Sequence, residues 1–101
     1  MIDHHQARQV VTDWLITHPA RASDSLLLEL RILDEHTIEA DFGWVFFWQS
    51  QRFLETGNSS EQLAGNAPLI VGRRDGSLHV TGTAHPTEHY IQQYLRERWL
   101  G

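Results

Sequence analysis

From Ile38 to Trp48 every even position is apolar (Ile38, Ala40, Phe42, Trp44, Phe46 and Trp48), and the first two odd positions are Glu39 and Asp41. A repeat of two is the pattern of a strand with one face on a core, and a helical period does not fit it. Past Gly43 the odd positions also turn apolar, with Val45 and Phe47, so this half needs cover on its second face as well. A glycine inside a strand weakens it and can mark a bulge or a close backbone approach. The alternation nevertheless runs unbroken across Gly43, and it predicts one long strand.

The flanking segments supply partners for that strand. In the run SLLLELRIL, Leu26, Leu28, Leu30 and Ile32 form an apolar face, and Leu27, Glu29, Arg31 and Leu33 a mixed one. The connection Asp34-Glu35-His36 is short, which predicts an antiparallel hairpin with Glu29, Glu39 and Asp41 on a shared face. Ahead of it, Ala7, Val10, Val11, Trp14 and Leu15 recur at helical spacing, so Asp3 to His18 reads as an amphipathic helix, capped by Asp3 and ended by Pro19.

Beyond the long strand, Ser50 to Gly65 reads as a loop broken by Gly57-Asn58-Ser59-Ser60, with Phe53, Leu54 and Leu63 as apolar anchors. A structureless loop of this length is uncommon in a compact domain, so it is expected to fold over the sheet and cover Val45 and Phe47. Gly65-Asn66-Ala67-Pro68 is a hinge: Gly65 tolerates positive φ, Asn66 can bond nearby backbone, and Pro68 can start a strand. Leu69-Ile70-Val71 is apolar throughout, as in a strand buried on both faces, and Asp75-Gly76 turns the chain into Ser77 to Thr83, with Leu78 and Val80 inward. Pro86 then opens a helix whose stripe is Tyr90, Ile91, Tyr94 and Leu95.

The fold class is therefore α+β: a four-stranded antiparallel sheet flanked by an N-terminal and a C-terminal helix, in the order α-β-β-β-β-α, with residues 1–101 as one domain. The expected core includes Trp14, Leu28, Leu30, Trp44, Phe46, Ile70, Val80, Ile91 and Tyr94.

Composition narrows the function. Thirteen carboxylates face eight arginines and no lysine, a formal charge of -5, which disfavours a general phosphate-backbone binder and suits a basic partner. The absence of cysteine excludes disulfides and thiolate sites and says nothing of the redox compartment; no run approaches a membrane span and the N-terminus carries no signal-peptide pattern, so a cytoplasmic protein is expected.

Constellations for chemistry are sparse. His85, Glu88 and His89 bring two histidines four residues apart, but the motif is not HExxH and a third ligand is not evident, so no metal or cofactor is expected. There is no Gly-x-Ser-x-Gly elbow. Glu39 and Asp41, two residues apart on one strand face, read as a solvated face rather than a glycosidase pair. The aromatic cluster from Phe42 to Trp48 lacks the basic flanks that nucleic-acid stacking uses; its even positions read as core, and Val45 and Phe47 stay open as a partner surface.

The pieces Gly43-Trp44 with the aromatics after it, Gly65-Asn66-Ala67-Pro68-Leu69-Ile70-Val71, Asp75-Gly76, Gly82-Thr83 and the Glu88 to Tyr90 turn together resemble the immunity protein 35 family, also called YrhB-like. The likeness runs from about Phe42 to Tyr94; where the family pattern usually continues from the valine into an acidic or polar residue, this chain has Gly72-Arg73-Arg74. The resemblance implies a small α+β protein that neutralises a cognate bacterial toxin by stoichiometric binding, without catalysis, with a holdase chaperone or stand-alone binding module as the alternative. On that reading Gly43, Trp44, Gly65, Asn66, Pro68, Gly76 and Gly82 are structural, and the partner surface is expected to include Glu29, Glu39, Asp41, Phe47 and Phe53.

Overall fold

The computed structural model describes residues 1–17, 30–50, 55 and 67–99. Helix α1 (His4–Ile16) starts in a capping box: Gln6 N–H donates to Asp3 Oδ1 (2.8 Å), and Asp3 N–H donates to Gln6 Oε1 (3.0 Å). Two otherwise orphaned donors are thereby satisfied. Its buried stripe is Ala7, Val11 and Leu15, from the helical spacing seen in the sequence.

Among the described residues six short strands follow: β1 (Leu30–Ile32), β2 (Ile38–Ala40), β3 (Gly43–Phe46), β4 (Trp48–Ser50), β5 (Leu69–Gly72) and β6 (Leu78–Val80), with a 3-10 turn over Asp34–His36 between β1 and β2. Helix α2 (Thr87–Tyr94) runs on into a π-helical turn, Leu95–Trp99. The main sheet has four antiparallel strands in the order β2-β3-β5-β6, and β1 pairs with β4 in a separate two-stranded ribbon. The α+β class with a four-stranded antiparallel sheet between two terminal helices holds, but its strands are not the expected ones.

The alternating stretch is not one strand. It folds back at Asp41-Phe42, so that Ile38 pairs with Val45, Glu39 with Trp44 and Ala40 with Gly43. Gly43 takes a φ of 145°, which a side chain rarely adopts, and this allows the reversal. Because the turn inverts the parity, Ala40 lies on the Val45 face while Trp44 and Phe46 lie on the other. At Phe47 the chain changes partners, and β4 then pairs with β1 (Ile32 opposite Trp48). The expected hairpin between the Leu30 region and Ile38–Ala40 therefore does not form; the 3-10 turn carries the chain past it.

Each face of the sheet has its own core. On one side α1 packs Ala7, Val11 and Leu15 against Trp44, Phe46, Trp48, Leu69 and Val71. On the other, Tyr94 from α2 seals Phe42, Val45 and Ile70, with Ile91, Leu95 and Phe47 around it. Val45 is thus fully buried in a core that the C-terminal helix helps to close, and the loop expected to cover it lies almost wholly outside the described residues. The helix comes this close because β5 ends in a glycine: a Cβ on Gly72 would stand 2.6 Å from the Tyr94 hydroxyl.

Among the expected core residues, Trp44, Phe46, Ile70 and Tyr94 are buried, and Trp14, Leu30 and Ile91 are half-buried. Val80 departs from the expectation: it is 58% exposed, because β6 is an edge strand and α1 packs on β1, β3 and β5. Leu28, Gly65 and Asn66, and most of the expected covering loop, lie outside the described residues.

Candidate partner surface

The β2–β3 hairpin brings together two of the acidic residues singled out above. Glu39 and Asp41 are both exposed, and Arg73 from the turn after β5 reaches across to them. Its Nη2 donates to the Ala40 carbonyl (3.0 Å) and to Glu39 Oε2 (3.2 Å), and its Nε donates to the Asp41 carbonyl (3.3 Å). The guanidinium also lies 4.4 Å from the centroid of the Trp44 ring, in cation–π contact. Its backbone is committed as well: Arg73 N–H donates to Phe42 O (2.8 Å), and Arg73 O accepts from Ile2 N–H (2.9 Å).

The planar fork of an arginine matches two adjacent carbonyls and a ring face at once, and a lysine cannot reproduce that. Arg73 in the Gly72-Arg73-Arg74 run is thus a clamp on the hairpin. The ion pair itself adds little, since Glu39 is 62% exposed, and the carbonyl bonds carry most of the effect. Arg73→Ala should lower stability by about 2 kcal/mol. For a domain of this size that is a melting shift on the order of 10 °C, and Arg73→Lys should recover less than half of it. Thermal melts followed by circular dichroism check this; equal melting of Arg73→Ala and the parent would refute the clamp.

Glu39 therefore meets the solvent as one half of an ion pair, whereas the Asp41 carboxylate makes no ion pair among the described residues. Phe47 does not join them. It is half-buried on the α2 side of the sheet, whereas Glu39 shares its face with Trp44 on the α1 side. Glu29 and Phe53 lie outside the described residues. A second acidic group, Asp34, is held by a two-pronged arginine contact: Arg8 Nε to Oδ1 (2.9 Å) and Arg8 Nη2 to Oδ2 (3.0 Å). The Arg8 hydrogen bonds hold the Asp34 carboxyl below the usual carboxylate range.

One polar chain has the residue types of a catalytic triad. Asp75 Oδ1 accepts from both the backbone N–H (2.9 Å) and the hydroxyl (2.7 Å) of Ser77, and the Ser77 Oγ lies 2.9 Å from His79 Nε2. Those bonds from Ser77 lower the Asp75 carboxyl, so it is an ionised acceptor. The Ser77 proton therefore points at Asp75, and His79 Nε2 must donate to Ser77 Oγ. A nucleophilic serine needs the opposite wiring, with its hydroxyl donating to an imidazole that acts as base. Burial, with Arg98 nearby, lowers the His79 pKa and keeps the ring neutral. The chain closes the Asp75-Gly76 turn, where Gly76 takes the positive φ (71°) that the turn requires.

His85 and His89 do approach, with ring centroids 4.2 Å apart, but among the described residues no group of three metal-ligating side chains comes together. Pro68 stands directly before β5, and its carbonyl accepts from Thr81 N–H (3.1 Å) and Thr81 Oγ1 (2.6 Å). Gly82 faces Tyr90 of α2, whose hydroxyl would stand 2.5 Å from a Cβ there. No helix among the described residues is long and apolar enough to cross a membrane. Arg73 was missed from the sequence because a GRRDG run reads only as a turn; its contact with the hairpin spans more than thirty positions and has no local signal.

The family model described as immunity protein 35 matches residues 5–93. An Escherichia coli (strain K12) protein described as "Uncharacterized protein YrhB" is 48% identical over 52 residues, covering 52% of this chain and 55% of its own length. The match thus spans about half of that relative. No solved structure matches.

Proposed function

Because this chain belongs to the immunity protein 35 family, we propose that it is an immunity protein, which binds one cognate bacterial toxin in a stoichiometric complex and occludes that toxin's active site. The observation that carries the reading is the family match over residues 5–93. Binding without catalysis agrees with the Asp75-Ser77-His79 chain, whose hydroxyl is turned away from the imidazole that would have to activate it. A formal charge of -5 suits a partner with a basic cleft, as in toxins that act on nucleic acids or nucleotides, and it would steer association and disfavour wrong partners. On this reading the Asp41 carboxylate and the Glu39 ion pair form part of the rim, and the work is done in the cytoplasm.

A holdase would need a broad exposed apolar surface. The exposed large apolar side chains among the described residues are Met1, Ile16, Ile38 and Val80, and Ile38 and Val80 sit on strands at opposite edges of the sheet. The test is titration of the purified protein against the product of the neighbouring toxin-like gene, with toxin activity followed to equivalence. Inhibition should be complete at one equivalent. Absence of a complex and of protection would overturn the immunity reading, and unselective suppression of aggregation of unrelated clients would replace it with the holdase.

A further inference from the structure

The two edges of the main sheet are finished differently. β2 carries the exposed Glu39 beside Asp41, the kind of charge that guards an edge against stray pairing. β6 has no such guard: its sequence is Leu-His-Val, and Val80 is 58% exposed.

The hydrogen-bond parity of β6 fixes what its outer side offers. Ser77 O accepts from Gly72 N–H, Thr81 N–H donates to Pro68 O, and His79 is the residue opposite Ile70 between them. Ser77, His79 and Thr81 therefore face β5, and Leu78 and Val80 turn their N–H and C=O groups outward. Among the described residues no backbone group bonds to these four. Beside this edge, between β6 and α2, lies a groove of about 180 Å³ lined by His79, Thr81, Tyr90, Gln93, Glu97 and Arg98.

We infer that β6 and this groove receive an extended segment of the toxin, which adds to the main sheet as a fifth strand and carries an apolar-polar-apolar triplet. This rests on the immunity reading above. A row of alternating donors and acceptors is matched by another extended backbone, and neighbouring pockets then select the alternate side chains. Segment residues opposite Leu78 and Val80 share their face of the sheet, where the exposed Val80 offers an apolar contact. The residue between them points to the α2 face and enters the groove. There Glu97 accepts and Arg98 donates, so an amide or hydroxyl side chain that can do both fits best. A second copy of this chain is the poorer occupant: pairing β6 with itself around His79 would bring two Arg98 groups towards one shared groove.

Val80→Pro tests the inference, because the Val80 N–H points outward and its loss leaves the ladder to β5 intact. With the neighbouring toxin as probe, Val80→Pro should melt like the parent and bind about tenfold more weakly or worse. Val80→Lys, which keeps the backbone donor but places a charge on the apolar side, should also weaken binding and decides the matter if the proline variant fails to fold. Hydrogen exchange gives a readout that needs no variant: the Leu78 and Val80 amides should exchange freely in the isolated protein and become protected in the complex. If the parent binds the toxin while those amides stay unprotected and both variants bind within about twofold, the edge is not the site and the immunity reading stands. If the parent does not bind the toxin, the immunity reading falls and this inference with it. A dimer of the isolated protein that Val80→Pro dissociates would give the edge to a second copy and overturn the inference.

Discussion

Gly43→Ala should leave the chain without a cooperative fold at 25 °C. The glycine stands at the first position after the Asp41-Phe42 reversal with a φ of 145°, a region that costs a non-glycine residue about 1–3 kcal/mol. Conformation is the smaller part of the penalty. A Cβ there would overlap the Val71 carbonyl oxygen and stand 2.9 Å from the Arg73 nitrogen, and both are backbone atoms, one in the paired strand and one in the turn directly after it. Neither can rotate away, so β3 would have to separate from β5 at the centre of the sheet, where Gly43 faces Gly72 and Trp44 faces Val71. Together the two terms reach roughly 4 kcal/mol or more, close to the whole stability of a domain at the low end of the usual 5–15 kcal/mol. Gly76→Ala is the control. Gly76 also has a positive φ, 71°, but its added Cβ would meet only the flexible Ile2 side chain, at 3.3 Å, so it should cost about 1 kcal/mol and still melt cooperatively. Circular dichroism melts of the two variants separate the cases, and a Gly43→Ala protein that melts within a few degrees of the parent would show that the hairpin does not need this approach.

The same glycine marks the limit of what alternation reveals. The period of two over Ile38–Trp48 correctly reports extended backbone, but the two-residue turn swaps the faces, and the even count survives the bend because Ala40 packs in one core while Trp44 and Phe46 pack in the other. A folded strand and a straight one therefore print the same pattern. Only the backbone angle at Gly43 tells them apart, and no side chain reports it. The helices were more legible because each shows its own period and its own end signal: Asp3 for α1, Pro86 for α2. What covers Val45 was not legible. The stripe Ile91, Tyr94 and Leu95 demands an apolar surface without naming which face of the sheet supplies it, and the choice depends on Gly72 admitting the Tyr94 hydroxyl. The partner surface is harder still. Its acidic candidates were chosen by charge alone, whereas the structure gives Glu39 to Arg73 and leaves the unguarded edge at β6, where the sequence Leu-His-Val reads as an ordinary inward strand.

Val45→Asp should be nearly as damaging as the change at Gly43, and it tests the second core rather than the hairpin. Val45 has no exposed surface and lies among the apolar and aromatic side chains of Phe42, Ile70 and Tyr94. An unpaired carboxylate in such a place costs several kcal/mol, or it stays protonated with its pKa raised far above the ordinary carboxylate range. The sign of the pH dependence follows from that. The folded state then holds the proton of the introduced carboxyl to higher pH than the unfolded state does, so the stability of the variant should rise as pH falls through the raised pKa. That is opposite to the trend for Asp34, whose lowered pKa makes its contribution vanish in acid. At neutral pH the expected result is release of α2 from the sheet or complete unfolding, with partial recovery of the melting temperature towards about pH 5. A partner-facing Val45 would behave otherwise: the variant would melt like the parent at every pH and fail only in toxin binding. That outcome would mean that α2 leaves this face in solution, and the apolar surface it covers would then take the place of the β6 edge as the site where a toxin docks.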